Sequence, residues 1–147
     1  MARIALDIDS TLHEYWDVLQ RVVKERYGVE LPYEDQRDWG ITALERDAVV
    51  HCVEETHSDE NILAGVPYDD LHCSFDKVSR CVELGVEVLV DDSPVNIARA
   101  REAGIVPATI VHPWNEEVVE RDGVIGAPNW KALRRELDPV LERLDSR

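Results

Sequence analysis

The sequence predicts an α/β protein, a parallel sheet flanked by helices. Three observations carry this. Short, largely apolar runs at 4–6, 86–90 and 108–111 each end in acidic or polar residues, as buried parallel strands do. Segments with apolar residues at helical spacing separate those runs, and glycines punctuate the joins. A length of 147 residues suits one core, so 1–147 reads as a single domain.

Ile4-Ala5-Leu6 is the first strand, delivering Asp7-Ile8-Asp9-Ser10-Thr11 at its carboxyl end, the end at which open α/β sheets bind ligands. Apolar residues at 15, 16, 19, 22, 23 and 27 then form a helical stripe closed by Gly28. Residues 29–43, with Pro32 and Gly40, read as loop. Leu44, Ala48, Val49, Cys52 and Val53 restore the helical period, with Thr42 or its neighbour as the expected cap. Residues 57–70 read as loop. Leu71–Cys73 is a short apolar piece before Ser74 and a helix from about Asp76 to Leu84, stopped by Gly85. Val86–Val90 is the clearest strand and runs into Asp91-Asp92-Ser93-Pro94, where Ser93 suits a helix cap and Pro94 a first turn. That helix ends at Gly104. Ala108–Val111 is a further strand ending at His112-Pro113-Trp114-Asn115, and a terminal helix spans Asn129 to Leu144, with Pro139 expected to break or kink it.

The composition is 44% hydrophobic and 32% charged, that of a folded protein. Thirty-one acidic against 16 basic residues give a net charge of -15, which would repel the phosphate backbone of a nucleic-acid polymer. No apolar stretch is long enough for a membrane span, and Met1-Ala2-Arg3 leads into a strand rather than a signal peptide. Cys52, Cys73 and Cys81 are odd in number and lack a CxxC pair; they read as reduced core thiols in a cytoplasmic protein.

Two strands end in paired carboxylates, Asp7 with Asp9 and Asp91 with Asp92, and parallel topology puts both ends on one edge. Such acids repel one another unless a cation lies among them. An all-oxygen set favours Mg²⁺, which also takes oxygens from substrate phosphate. An acidic protein can thereby accept a phosphorylated small molecule.

The run Ile4-Ala5-Leu6-Asp7-Ile8-Asp9-Ser10-Thr11 resembles the DxDx[TV] signature of the haloacid dehalogenase-like hydrolases, and Val88-Leu89-Val90-Asp91-Asp92, with the helix to Ala103-Gly104-Ile105, resembles their acidic fourth motif. The resemblance implies a shortened Rossmannoid three-layer parallel sheet and a Mg²⁺-dependent phosphatase. Asp7 would be the nucleophile that forms an aspartyl-phosphate, and Asp9 the general acid and base. Asp92 would hold the metal with Asp91 beside it, joined by the Asp7 side chain and the Asp9 carbonyl. Ser10 and Thr11 would face the phosphate. The opening DIDSTLHEYWDVL and the closing VLVDDSPVNIARAREAGI with HPWN are similar to the type C 5'-nucleotidase, or deoxyribonucleotidase-like, branch. That likeness makes residues 12–68 a small helical cap and puts nucleotides among the candidate substrates.

The chain departs from the family pattern at the second motif, a strand ending in a phosphate-binding hydroxyl. Val66-Pro67-Tyr68 passes almost at once to Asp69-Asp70-Leu71-His72-Cys73-Ser74, so one strand-helix segment is missing and a smaller sheet is expected. One expectation is that Leu71–Cys73 fills the vacant place beside the first strand and Ser74 supplies the hydroxyl. The plainer role of Ser74 is to cap the next helix. Lys77, fourteen residues before Asp91, matches the third-motif lysine in order along the chain. His112–Asn115 reads either as a leaving-group contact or as a packing turn, and Trp16 and Trp39 as an aromatic roof or as core. The histidines at 13, 51, 57 and 72 read as structural or surface.

Two other functions compete. A catalytically impaired descendant of the fold would keep metal or ligand binding without turnover. A phosphoacceptor receiver module would also open on Val88-Leu89-Val90-Asp91-Asp92-Ser93-Pro94, but too little chain follows Asp91 for its remaining parts.

Overall fold

A computed structural model of the chain describes residues 1–12, 15–37, 41–57 and 69–147. The elements in order are β1 (Ile4–Leu6), α1 (Tyr15–Tyr27), a 3-10 turn (Tyr33–Asp35), α2 (Arg46–His57), α3 (Lys77–Glu83), β2 (Val88–Val90), α4 (Pro94–Glu102), β3 (Val106–Ile110), α5 (Glu116–Val119), β4 (Ile125–Ala127) and α6 (Trp130–Asp145). The four strands form one all-parallel sheet in the order β1-β2-β3-β4, an arrangement compatible with a Rossmann-like fold.

Alternation along β2 explains the layering, because successive strand side chains point to opposite faces. Leu89 joins Val78, Cys81, Ala100 and Ile105 under α3 and α4. Val88 and Val90 join Ala108, Ala127, Leu133 and Leu137 under α6. With helices on both sides β2 needs no polar face, and all three of its residues are buried. A third cluster, Leu19, Val22, Val23, Leu31 and Cys52, belongs to α1, α2 and the segment between them. The amino-terminal helices therefore have an apolar centre of their own.

Local chemistry sets the helix ends near the sheet. Asp76 caps α3 by accepting from Ser79 N at 3.2 Å. Ser93 caps α4, with Pro94 in the first turn, and Asn129 caps α6 by accepting from Ala132 N at 3.0 Å. Gly85 and Gly104 take positive φ, 66° and 77°, as the sharp turn from helix to strand requires. In β4, a Cβ on Gly126 would lie 2.2 Å from Val119 Cγ1, so α5 approaches the sheet closely there.

Several expectations are corrected. Pro139 does not break the terminal helix, which runs from Trp130 to Asp145. Pro139 and Arg135, whose carbonyl loses its donor, are both exposed, so water can take the freed acceptor. Leu71–Cys73 is not a strand, and β1 has no described strand on its outer side. Leu71 and Cys73 are exposed, so Cys73 is not a core thiol, whereas Cys52 and Cys81 are buried; none of the three is in a disulfide. Among the described residues no strand pairs with the outer side of β1, and all three residues of the short run Leu71–Cys73 are exposed. Thr42 is not the cap of α2, which begins only at Arg46. Strand β4 and helix α5 were not anticipated: Ile125-Gly126-Ala127 and Glu116–Val119 are too short for a periodicity to register. Trp39 and most of the 57–70 loop lie outside the described residues. Among the described residues no helix is long and apolar enough to cross a membrane.

Candidate active site

The parallel register brings the two acidic strand ends side by side. Leu6 pairs with Val90, and Asp7 N donates to Val90 O at 2.8 Å, carrying the ladder one residue further. Asp91 N donates to Ala108 O at 3.1 Å. Carboxylate oxygens of Asp7, Asp91 and Asp92 consequently lie within 4.8 Å of one another.

The three acids are held differently. Lys77, the first residue of α3, reaches Asp7 Oδ1 at 2.6 Å and Asp91 Oδ2 at 2.7 Å. Asp91 is saturated: Ser93 N donates to its Oδ1 at 2.8 Å, and Asn96 Nδ2 lies 3.3 and 3.2 Å from its two oxygens. Asp92 is 1% exposed, and neither of its carboxylate oxygens has a hydrogen-bond partner. Burial, then the charges of Asp7 and Asp91, push its pKa up to about 8. Burial followed by the Asp91 charge also raises Asp7, against the pull of Lys77. For Lys77 burial favours the neutral amine, but Asp91 and Asp7 outweigh it and its pKa lies above the usual lysine value. A buried carboxylate without a partner costs several kcal/mol, on the order of the penalty for burying an unpaired charge. The donor set is hard oxygen, and the orphaned atoms of Asp92 are the ones a divalent cation such as Mg²⁺ would satisfy. The residues fit such an ion.

Beyond Asp7 the chain turns sharply. Thr11 N and Leu12 N donate to Ile8 O at 3.3 and 2.8 Å, and Ser10 adopts φ 54°, a left-handed backbone that costs a non-glycine residue roughly 1 kcal/mol. Distant side chains hold this turn. His112 Nε2 lies 2.9 Å from Ser10 O, and Trp130 Nε1 donates to Thr11 O at 2.8 Å. Tyr33 O–H lies 2.7 Å from His112 Nδ1. A carbonyl on one ring nitrogen and a hydroxyl on the other fix the neutral tautomer with the proton on Nε2. Burial also lowers the His112 pKa, with the Ser10 carbonyl opposing it.

Asp9 stands beside Tyr15, whose hydroxyl is pushed up to about 12 by burial and then by the Asp9 charge. It is not one of the three converging carboxylates. Ser10 and Thr11 line a cavity of about 410 Å³ whose other walls are largely aromatic, among them Tyr15, Trp16, Tyr33, His112, Trp114 and Trp130. His112 stacks on Trp114 with ring centres 4.5 Å apart, and Trp16 leans on Trp114 at 5.6 Å. Ser74 is exposed and its Oγ accepts from Asp76 N at 3.1 Å. It braces the residue that caps α3 and is not itself the cap.

The structure thus brings Lys77 to Asp7 and Asp91, with Asp92 beside them, and sets Ser10 and Thr11 on the cavity wall. Sequence reasoning missed Asn96, Tyr33 and Trp130, and named Asn115 only as part of the His112–Asn115 turn. Asn96 follows the capping Ser93 by three residues and reads as an ordinary first-turn polar residue. Asn115, fully buried, accepts from His112 N at 2.8 Å and donates to Asp92 O at 3.1 Å; its place in the turn after β3 was its only signal. Tyr33 and Trp130 act across 79 and 119 residues of sequence, where no local signal exists. The chain matches no family model, no curated protein and no solved structure.

Proposed function

We propose that the chain is a Mg²⁺-dependent phosphomonoester hydrolase of the haloacid dehalogenase-like kind, acting through an aspartyl-phosphate on Asp7. The observation that carries this reading is the convergence of Asp7, Asp91 and Asp92, with Lys77 bridging the first two and Asp92 left without a partner. The Asp7 carboxylate attacks phosphorus, the bond to the leaving oxygen breaks, and Asp9 gives that oxygen its proton. Asp9 then takes a proton from the water that cleaves the acyl phosphate, releasing inorganic phosphate and restoring Asp7. Lys77 offsets charge on the phosphoryl oxygens from a position already set by two carboxylates. Asp92 and Asp7, with the Asp9 carbonyl, would hold Mg²⁺, which would supply the remaining charge neutralisation. The organic half of the substrate falls to the aromatic cavity beside Ser10 and Thr11, whose chemistry suits a planar group such as a nucleobase.

A second reading is favoured by one observation: Ser74 is exposed and engaged by Asp76, and β1 lacks a described outer neighbour. On that reading the chain binds metal or ligand without turnover. Phosphate release from a panel of phosphomonoesters that includes deoxynucleoside monophosphates, with and without Mg²⁺, separates the two. The hydrolase reading expects metal-dependent release that falls by about a thousandfold or more in Asp7→Asn, the scale for loss of a nucleophile. A folded wild-type protein that releases no phosphate from any substrate gives the site to binding alone.

A further inference from the structure

The turn between β3 and α5 reaches both acid-bearing loops from its two ends. At one end His112 Nε2–H donates to Ser10 O at 2.9 Å, across 102 residues of sequence. At the other, Asn115 Nδ2 lies 3.1 Å from Asp92 O and 3.0 Å from Thr109 Oγ1. Asn115 Oδ1 accepts from His112 N at 2.8 Å and so ties the two ends together. Asn115 and Thr109 are fully buried, where a polar group without a partner is costly, so this network has little freedom to rearrange.

We infer that the turn from His112 to Asn115 is the brace that fixes the loop after Asp7 against the loop carrying Asp92, with His112 as a positioning residue acting through the Ser10 backbone. The inference rests on the reading of the acid cluster as the reacting centre. Ser10 supplies the physical need for a brace. Its left-handed backbone is unfavourable for a serine, and the His112 bond to its carbonyl rewards that conformation. Tyr33 completes the arrangement from the amino-terminal helical segment. Its hydroxyl donates to Nδ1 at 2.7 Å, which leaves the imidazole proton on the nitrogen that faces Ser10. Stacking on Trp114 and the edge of Tyr33, with ring centres 6.1 Å away, set the plane of the imidazole. The segment containing Tyr33 is thereby linked to the geometry of the acidic loop through His112.

Amide hydrogen exchange at Thr11 and Leu12, whose N–H groups close the turn onto Ile8 O, reads the brace directly and requires no activity. His112→Phe keeps a ring against Trp114 and removes the donor. Exchange at these two amides is expected to quicken by about tenfold, the scale of one lost hydrogen bond, with exchange in β2 unchanged. His112→Gln, which can place an amide N–H near the former Nε2, is expected to return exchange to within about threefold of wild type. If the protein hydrolyses phosphomonoesters, kcat falls with exchange while KM stays within about twofold. Faster exchange in His112→Phe, when the wild-type protein releases no phosphate, keeps the brace and removes the phosphatase reading. Unchanged exchange in His112→Phe with hydrolysis intact removes the brace and keeps the phosphatase. Should His112→Phe fail to fold, Tyr33→Phe deletes only the hydroxyl. It is expected to quicken exchange by about threefold, and wild-type exchange in that variant overturns the inference.

Discussion

Strands β1 and β2 end in the same chemistry, a pair of aspartates on the carboxyl edge of a parallel sheet, yet they are supported in opposite ways. β2 lies between β1 and β3, is covered by α3 and α4 on one face and α6 on the other, and buries every residue together with Asp91 and Asp92. β1 is an edge strand of the described sheet, with Ile4 41% and Leu6 43% exposed. The loop after β2 is held in part by its own neighbours in sequence, Ser93 and Asn96, with Lys77 and Asn115 reaching it from 14 and 23 residues away. The loop after β1 is held from far away, by Lys77, His112 and Trp130. Burial makes one half of the site, and long-range polar contacts assemble the other.

This contrast can be broken at the core first. Leu89→Ala removes a side chain that is 1% exposed between β2 and the α3–α4 layer, and should cost about 2–5 kcal/mol in chemical denaturation. Leu6→Ala on the open strand should cost less than about 1 kcal/mol. Comparable losses at the two positions would mean that β1 is covered as well as β2.

A smaller effect of opposite sign is expected at Asp92. Its folded pKa, about 8, lies above the ordinary 3.8, so the metal-free folded state binds a proton that the unfolded state has released between those values. The contribution of Asp92 to stability without metal is therefore fully present below about pH 4 and is lost as pH rises towards 8. Asp92→Asn cannot ionise. At pH 8 without metal it should be more stable than wild type by about 2 kcal/mol, with a flatter pH dependence. Thermal unfolding with added Mg²⁺ should raise the wild-type midpoint and leave that of Asp92→Asn nearly in place. A wild-type midpoint indifferent to Mg²⁺ would argue that Lys77 is the only cation the cluster takes.

Much of this was legible from residues 4–11 and 86–104 because the signals there are local. Apolar runs define the strands, Ser93 and Pro94 start α4, and Gly85 and Gly104 end helices where the backbone must turn left-handed. The order of Asp7, Lys77 and Asp91 along the chain also anticipated the ion pairs that Lys77 makes. Pro139 shows where such rules stop. The local rule foresaw a broken helix, but the amphipathic face carrying Leu133 and Leu137 packs on the sheet and offsets a proline on the exposed side. Leu71–Cys73 shows the converse: a short run expected to form a strand forms none and is exposed.

The sequence by itself determined which residues could bear charge at the sheet edge and in what order, because strand periodicity and parallel topology are properties of the chain. Only the tertiary structure decided how those charges are divided. Asp91 is saturated, Asp92 is orphaned, and Asp7 shares a lysine with its neighbour. The share of Lys77 that Asp7 takes, and the hold on the loop after it, depend on distances between segments that are 70 residues and more apart in sequence. Such distances follow from the packing of three apolar clusters, and no local pattern records them.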